Sequence, residues 1–168
     1  MVTNLLREYP ELLDLIGNDS HSNRRALYPV FERDIILHPN FEFRGKSIHP
    51  TSQEGQIPME TLYSHLTTVM VDKDTRKREF ESTRAVRLHW VKHHIEEESP
   101  KHINVFSVLE PEGMRTYIYD KKEKYIIVLQ PSRYVERLEY YLLTAYPLRG
   151  GDTRKIENKQ KRKENVLY

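Results

Sequence analysis

The 168-residue chain carries 27 Lys and Arg residues against 25 Asp and Glu residues. Its formal net charge of +2 is too small to mark a nucleic-acid-binding protein by itself, so the distribution of charge matters more. The chain has no Cys, which excludes disulfides, thiolate metal sites and cysteine nucleophiles and is typical of a reducing cytoplasm. No apolar run reaches the ~20 residues of a membrane span, and no signal-peptide pattern opens the sequence. We expect a soluble, cytoplasmic protein.

Residues 1–58 give the weakest structural signals. Apolar residues at helical spacing predict a helix over Asn4–Ile16, interrupted by a proline. Residues 28–31 and 34–37 have the composition of short strands or buried turns. We expect an N-terminal extension or small subdomain of unassigned function, with a soft boundary at residue 58.

Residues 59–148 give clearer signals and form the predicted core domain. Apolar residues at steps of three and four predict one helix over Ser82–Glu98. Four segments rich in Ile, Val, Tyr and Phe follow, and the short links between the first three can join only antiparallel neighbours. The predicted strands are Ile103–Leu109, Arg115–Tyr119, Tyr125–Gln130 and Tyr140–Tyr146. The fold class is therefore α+β, with one or more helices packed on a four-stranded antiparallel meander.

Residues 149–168 form a basic C-terminal tail, with seven Lys and Arg residues and three Asp and Glu residues. A solvated, frayed end is one interpretation of such a segment. An arm that contacts phosphate groups is the other.

Strand alternation sorts the side chains of the meander into two faces. The apolar face is expected to pack against the helix and comprises Ile118, Tyr141, Leu143 and Ala145. The other face is expected to be open and comprises Arg115, Tyr117, Tyr119, Thr144 and Tyr146. Guanidinium groups bind phosphate and tyrosine rings stack on bases, so an RNA-binding surface is one interpretation. Ordinary cross-strand packing on a solvated face is the other.

The predicted helix carries histidines that suit acid–base chemistry. His89 and His93 lie four residues apart and are neighbours on a helix, with Arg87 and Lys92 close by. An imidazole titrates at about pH 6.5, which suits proton transfer at a ribose hydroxyl. Packing of His89 at the edge of the core and zinc binding by the histidine pair are alternatives, although the chain has no HExxH pattern. His65 is a further candidate for the acid or base.

Four runs resemble, in their order along the chain, the phage-associated barnase–EndoU–colicin–RelE-like (BECR) nucleases. They are Arg-Ala-Val-Arg-Leu-His-Trp at 84–90, Arg-Thr-Tyr-Ile-Tyr at 115–119, Tyr-Ile-Ile-Val-Leu at 125–129 and Tyr-Tyr-Leu-Leu-Thr-Ala-Tyr at 140–146. The resemblance covers residues 59–146. It implies a sheet-based endoribonuclease without metal or cofactor, in which the ribose 2′-OH attacks the adjacent phosphorus and leaves a 2′,3′-cyclic phosphate.

The resemblance also implies roles for individual residues. His89 becomes the acid or base, Arg115 the clamp on the phosphate, and Thr144 the group that orients the phosphate or the attacking hydroxyl. Tyr146 or Tyr117 stacks on the base or donates a hydrogen bond. The expected substrate-binding set is completed by Arg87, Lys92, His93 and Tyr119.

Two functions are therefore expected from the sequence. The first is a toxin-like or phage-related endoribonuclease that acts on tRNA or mRNA, with an antitoxin or immunity protein as a candidate partner. The second is a non-catalytic module on the same scaffold, in which the basic tail and the tyrosine face bind RNA or a protein.

Overall fold

The computed structural model describes residues 3–38, 42–50, 59–97, 101, 103–134 and 137–167. Its fold is α+β, as predicted, with a six-stranded mixed sheet at the centre. Four consecutive strands of this sheet form the predicted antiparallel meander. They are β5 (Ile103–Glu110), β6 (Gly113–Asp120), β7 (Tyr125–Tyr134) and β8 (Arg137–Pro147).

The first half of the chain contributes the remaining strands. Strand β1 (Glu42–Phe43) pairs with β2 (Lys46–Pro50), and β2 lies parallel to β8, which gives the order β1-β2-β8-β7-β6-β5. A separate hairpin joins β3 (Thr68–Asp72) to β4 (Lys77–Phe80).

Five α-helices lie in the described part of the chain. They are α1 (Ser20–Phe31), α2 (Met59–Thr67), α3 (Ser82–Ala85), α4 (Trp90–Glu96) and α5 (Asp152–Lys161). None of the helices among the described residues is long and apolar enough to cross a membrane.

The short strands or buried turns predicted over 28–31 and 34–37 are helical instead. These residues belong to α1 and to the π-helical turn Glu32–Ile36 that continues it. The buried side chains of Leu27, Val30, Phe31 and Ile35 recur at steps of three and four, which is helical spacing. The Asp19 carboxylate caps α1 by accepting hydrogen bonds from the backbone of the next turn.

The helix predicted over Asn4–Ile16 is also wrong. Only Asn4–Leu6 forms a 3-10 turn, and the chain beyond it is held by side-chain amides. Asn4 bonds the backbone of Asp14, and Asn23 bonds the backbone of Ile16 and Gly17. These bonds satisfy backbone groups that a helix would otherwise pair internally.

The single helix predicted over Ser82–Glu98 is broken into α3 and α4 by a turn over 86–89. The Val86 carbonyl accepts a hydrogen bond from Leu13 N at 2.9 Å, so the N-terminal segment takes up a group that a continuous helix would pair. The predicted end of the helix at residues 98–100 lies outside the described residues.

The sheet is covered on both faces. The larger apolar cluster combines residues from both sides of position 58, among them Leu27, Phe31, Leu62 and Leu142. The smaller cluster lies on the opposite face, where Ile156 of α5 packs with Phe106 and Tyr117. Of the two interpretations of residues 149–168, the solvated, frayed end is wrong for the first part, which folds into helix α5 against the sheet.

Candidate functional site

A β-bulge interrupts strand β8 near its C-terminal end. Thr144 pairs with Val128, and Leu142 pairs with Leu129, so Leu143 is an extra residue without a partner on β7. Beyond the three residues that pair with β2, no strand among the described residues pairs with the outer edge of β8. Helices α2 and α3 pack along this edge. Thr144 thus lies within reach of the Arg84 side chain of α3 and of the His65 backbone carbonyl of α2.

His65 of α2 lies half-buried at this edge. Its Nδ1 lies 3.3 Å from the carbonyl oxygen of Leu143, which can only accept, so Nδ1 carries the proton. In the neutral ring Nε2 then keeps its lone pair, and no described residue bonds this nitrogen. Burial, with the charges of Arg78 and Arg84 acting in the same direction, lowers the pKa of His65 below its usual value. The ring is therefore neutral at pH 7 and able to accept a proton.

Arg84 of α3 joins the elements of the site. Its Nη1 donates to the carbonyl oxygens of His65 and Thr68, each at 3.0 Å, and to Thr144 Oγ1 at 3.4 Å. Its Nε is buried and makes no hydrogen bond with the described residues. Thr144 Oγ1 in turn donates to the His65 carbonyl at 3.3 Å. The guanidinium is thus held in place by two backbone carbonyls and Thr144, while its Nε has no hydrogen-bond partner among the described residues.

Arg78 of β4 brings a second guanidinium to the same place. Its Nε donates to Thr68 Oγ1 at 2.8 Å and its Nη2 to the Thr68 carbonyl at 3.1 Å. Burial lowers the pKa of both arginines, and the charge of Arg78 lowers that of Arg84 further. Among the described residues, no carboxylate lies within 4.0 Å of either guanidinium. Two like charges without a counter-ion are costly and favour an anion as ligand.

Tyr146 completes the site on the β8 side. Its ring centroid lies 5.0 Å from the Arg84 guanidinium carbon, a cation–π contact. Burial raises the pKa of the Tyr146 hydroxyl, so it stays protonated at neutral pH. Arg84 and Tyr146 line a pocket of about 190 Å³.

The far wall of this pocket carries its own ion pair. Arg149 donates to Glu81 at 2.6 Å and also to the Thr83 hydroxyl. Burial alone would raise the pKa of Glu81, but the hydrogen bond from Thr83 and the charge of Arg149 lower it overall. Glu81 pairs with Arg149, and Asp152 pairs with Lys155 at 3.3 Å, so neither carboxylate lies within 4.0 Å of Arg84. The charge of Glu81 raises the pKa of Arg84, which offsets part of the lowering by burial.

His89, Lys92 and His93, three of the residues predicted from the sequence, lie together in a different cavity. This cavity of about 550 Å³ is bordered by the N-terminal segment and by the π-helical turn that follows α1. His89 is only 5% exposed, and neither ring nitrogen makes a hydrogen bond of normal geometry with the described residues. Burial lowers its pKa, and the nearby Glu11 backbone only partly offsets the effect. Three cationic and three anionic side chains line this cavity, and the pocket beside Arg84 is likewise lined by two of each sign.

Arg115, Tyr117 and Tyr119 lie on the sheet face beneath α5. The open face predicted for them is wrong, because Tyr117 is 5% exposed and Tyr119 is 1% exposed. Tyr117 donates to Glu110 at 2.9 Å, and Lys159 of α5 bonds the same carboxylate and lies over the Tyr117 ring. The Arg115 guanidinium donates to the carbonyl of Met114. The two tyrosines are therefore not available to stack on bases.

Eight of the nine predicted site residues thus fall into three groups, and Arg87 lies apart from them. The charges that shift the pKa of His89 belong to Glu11, Arg33 and Asp34, none of which lies in the sheet. Arg115 lies on the sheet face opposite to the one that α4 covers. Arg87 donates to the Thr83 carbonyl at 2.5 Å and lies over the Trp90 ring. Of the predicted catalytic residues, only Thr144 and Tyr146 come together, and their neighbours are His65, Arg78 and Arg84.

The sequence contained partial signals for these neighbours. Arg84 opens the run at 84–90, and His65 is a candidate on its own. Arg78 sits in a charged stretch with no distinguishing pattern, and only the pairing of β3 with β4 brings it to Thr68. The bulge that turns Thr144 toward them depends on the partner strand.

Comparisons of the chain with protein-family models, with curated proteins and with solved structures gave no match. Within the described ranges, no group of three His, Asp or Glu side chains is arranged to hold a metal ion.

Proposed function

We propose that this chain is an endoribonuclease that works without a metal ion and whose reacting centre is formed by His65, Arg78, Arg84, Thr144 and Tyr146. The observation that carries the proposal is the pair of arginines without a counter-ion, placed beside a neutral histidine with a fixed tautomer. Clustered guanidinium groups bind phosphate oxygens, and a neutral imidazole is a suitable general base. The resemblance of four sequence runs to the BECR nucleases supports the same reaction class.

The proposed reaction starts with proton transfer. His65 Nε2 takes the proton of the ribose 2′-OH, and the resulting 2′ oxygen attacks the adjacent phosphorus. Negative charge develops on the non-bridging oxygens of the pentacoordinate phosphate, where Arg84 and Arg78 donate hydrogen bonds. Thr144 fixes the positions of Arg84 and the His65 backbone by hydrogen-bonding to both.

The reaction ends when the bond from phosphorus to the 5′ oxygen breaks. The Tyr146 hydroxyl, which is protonated at neutral pH, gives its proton to the leaving 5′ oxygen. The products are a 2′,3′-cyclic phosphate and a 5′-hydroxyl end. Tyr146 then regains a proton from water, and His65 loses one.

The test is cleavage of total RNA in EDTA by wild-type protein and by His65→Asn. Asn keeps a side-chain N–H where Nδ1 bonds the Leu143 carbonyl but has no second nitrogen to act as the base. We expect wild type to leave cyclic phosphate ends and the variant to lose ~10²–10⁴-fold of its rate, the usual contribution of a general base.

The matched control is His49→Asn, a half-exposed histidine on β2 that pairs with Glu139. It should cleave at the wild-type rate. RNA that is retarded on a gel but stays intact with wild-type protein would reject the enzyme and assign the arginine pair to binding alone. Equal cleavage by wild type and His65→Asn would reject this site.

A further inference from the structure

A groove between α1 and α2 has a lining of unusual composition. It has a volume of about 550 Å³ and is lined by His21, Arg24, Arg25, Tyr28 and Tyr63, with Ser20 and Pro29 at its margin. This size lies within the range of pockets that take small molecules. None of these residues belongs to the His65–Arg84 site.

The charge of the groove has one sign. Arg24 and Arg25 are permanently charged, and the described residues that line the groove include no Asp or Glu. The carboxylate of Asp19 lies beside His21, but it caps α1 by accepting from the backbone N–H groups of His21 and Ser22 at 3.2 and 2.8 Å. Since acids and bases are nearly equal in number over the chain, a lining without acids favours an anionic ligand.

The aromatic side of the groove is rigid. The Tyr28 and Tyr63 rings meet edge to face with centroids 5.2 Å apart. Tyr63 is buried, and its hydroxyl donates to the Arg24 carbonyl, while the Arg24 guanidinium lies 5.5 Å from its ring centroid. Burial raises the pKa of Tyr63, which therefore remains a donor. Tyr63 thus positions Arg24, and Tyr28 is left half-buried as the aromatic surface of the groove.

Arg24 also has unused hydrogen-bonding capacity. Its Nε is buried and makes no hydrogen bond with the described residues. Neither Arg24 nor Arg25 has a carboxylate within 4.0 Å in the described part of the chain. A planar guanidinium in this state favours a phosphate, which accepts two parallel hydrogen bonds.

We propose that this groove binds a nucleoside phosphate, with the base on Tyr28 and the phosphate on Arg24, Arg25 and His21. The nucleoside phosphate is either a free nucleotide or one nucleotide of an RNA strand, since both present the same chemistry. The site stands apart from the cleavage reaction and does not depend on it.

The first experiment measures binding of adenosine 5′-monophosphate by calorimetry to wild type, Arg25→Gln and Tyr28→Leu. Arg25 is exposed and makes no hydrogen bond within the described residues, so its replacement leaves the fold intact. The matched control is Arg154→Gln, an exposed arginine on α5. We expect Arg25→Gln to weaken binding ~10-fold, as the loss of one charge-assisted hydrogen bond does. The control should stay within twofold of wild type.

The second experiment separates free nucleotide from RNA. A fluorescent ten-nucleotide RNA is titrated into the same variants carrying His65→Asn, so that the probe is not cut. Weaker RNA binding by Arg25→Gln, with no binding of the mononucleotide, assigns the groove to RNA; binding of the mononucleotide assigns it to free nucleotides. Equal binding by Arg25→Gln, Tyr28→Leu and wild type, or no binding of either probe, overturns the proposal. Tighter binding of phosphotyrosine than of adenosine monophosphate in the same calorimetric measurement also overturns the proposal.

Discussion

Arg78 and Arg84 donate to the same acceptor, the carbonyl oxygen of Thr68, from 3.1 and 3.0 Å. One residue comes from the β3–β4 hairpin and the other from α3, so the shared oxygen holds two separate elements together. The arrangement places two positive charges side by side in a partly buried position. Burial lowers the pKa of both arginines, and the charge of Arg78 lowers the pKa of Arg84 further. A bound phosphate would supply the missing negative charge.

We expect Arg84→Gln to reduce RNA cleavage by ~10²–10³-fold, the usual loss when one donor to a developing oxyanion is removed. The comparison variant is Arg115→Gln, which removes the arginine that the sequence alone favours as the phosphate clamp. It should retain the wild-type rate, because Arg115 lies on the sheet face beneath α5. Single-turnover cleavage of a labelled RNA measures both, and a larger loss in Arg115→Gln would contradict the site described here.

The pH dependence of cleavage follows from His65. Since burial lowers its pKa below 6.5, the ring loses its proton below that pH and is already a base at pH 7. The rate should therefore rise with pH below 6.5 and be level by pH 7. Measurement of the single-turnover rate between pH 4.5 and 8 tests this. Arg78→Gln removes one of the charges that lower this pKa, so it should move the rise to higher pH.

The β8 strand shows which features of the fold can be predicted from the alternation of side chains in the sequence and which cannot. Its position was predictable, because aromatic residues mark it. The link predicted before it, over 131–139, is too long, since β7 continues to Tyr134 and β8 already begins at Arg137. Alternation also put Tyr140, Leu142, Thr144 and Tyr146 on one face. The extra residue at Leu143 changes this, so Tyr140 and Leu142 pack in the larger cluster while Tyr146 packs against the smaller one. A bulge is a property of two strands, and one strand's pattern does not encode it.

The tail shows a different limit. Helix α5 is strongly polar and buries one apolar side chain, Ile156. Its contact with the sheet depends on Lys159, which reaches Glu110 forty-nine positions earlier. No local pattern distinguishes such a helix from a solvated basic segment, because the deciding contacts are few and distant in sequence.

We expect Ile156→Ala to lower the free energy of unfolding by about 2–3 kcal/mol, as the loss of a buried branched side chain does. Ile156 is 3% exposed and is the apolar anchor of α5 in the smaller cluster. Urea unfolding followed by circular dichroism measures the change. Lys155→Ala, one residue earlier and exposed, should change it by less than ~0.5 kcal/mol. Similar values for the two variants would mean that α5 is not anchored by Ile156.

Asp120 should be a strong determinant of stability. Its buried carboxylate lies 2.9 Å from His94 Nε2 and accepts from Tyr9 at 3.3 Å and from the Glu123 backbone at 3.0 Å. Asp120→Asn leaves the buried His94 without its ionic partner, and we expect a loss of about 3 kcal/mol. Tyr9→Phe, which removes only one long hydrogen bond, should cost about 1 kcal/mol.

The effect of Asp120 should depend on pH with a defined sign. Burial alone would raise its pKa, but the hydrogen bonds from Glu123 and His94 lower it below 3.8. Its contribution is therefore complete above pH 3.8 and is lost as the pH falls through the folded-state pKa. Unfolding curves of wild type and Asp120→Asn should converge at low pH. A constant difference down to pH 2 would contradict the assignment.

The parallel pairing of β2 with β8 has a consequence for synthesis. His49 on β2 meets Glu139 on β8 ninety positions later, so the partner strand does not exist when β2 leaves the ribosome. At ~5–20 residues per second, the wait is roughly 5–20 s. During that time the first part of the nascent chain has no sheet to join, whereas β5 to β8 can pair with their immediate neighbours as they emerge. Translation order therefore delays the pairing of β2 until β8 has been made, so the six-stranded sheet is completed only after the meander.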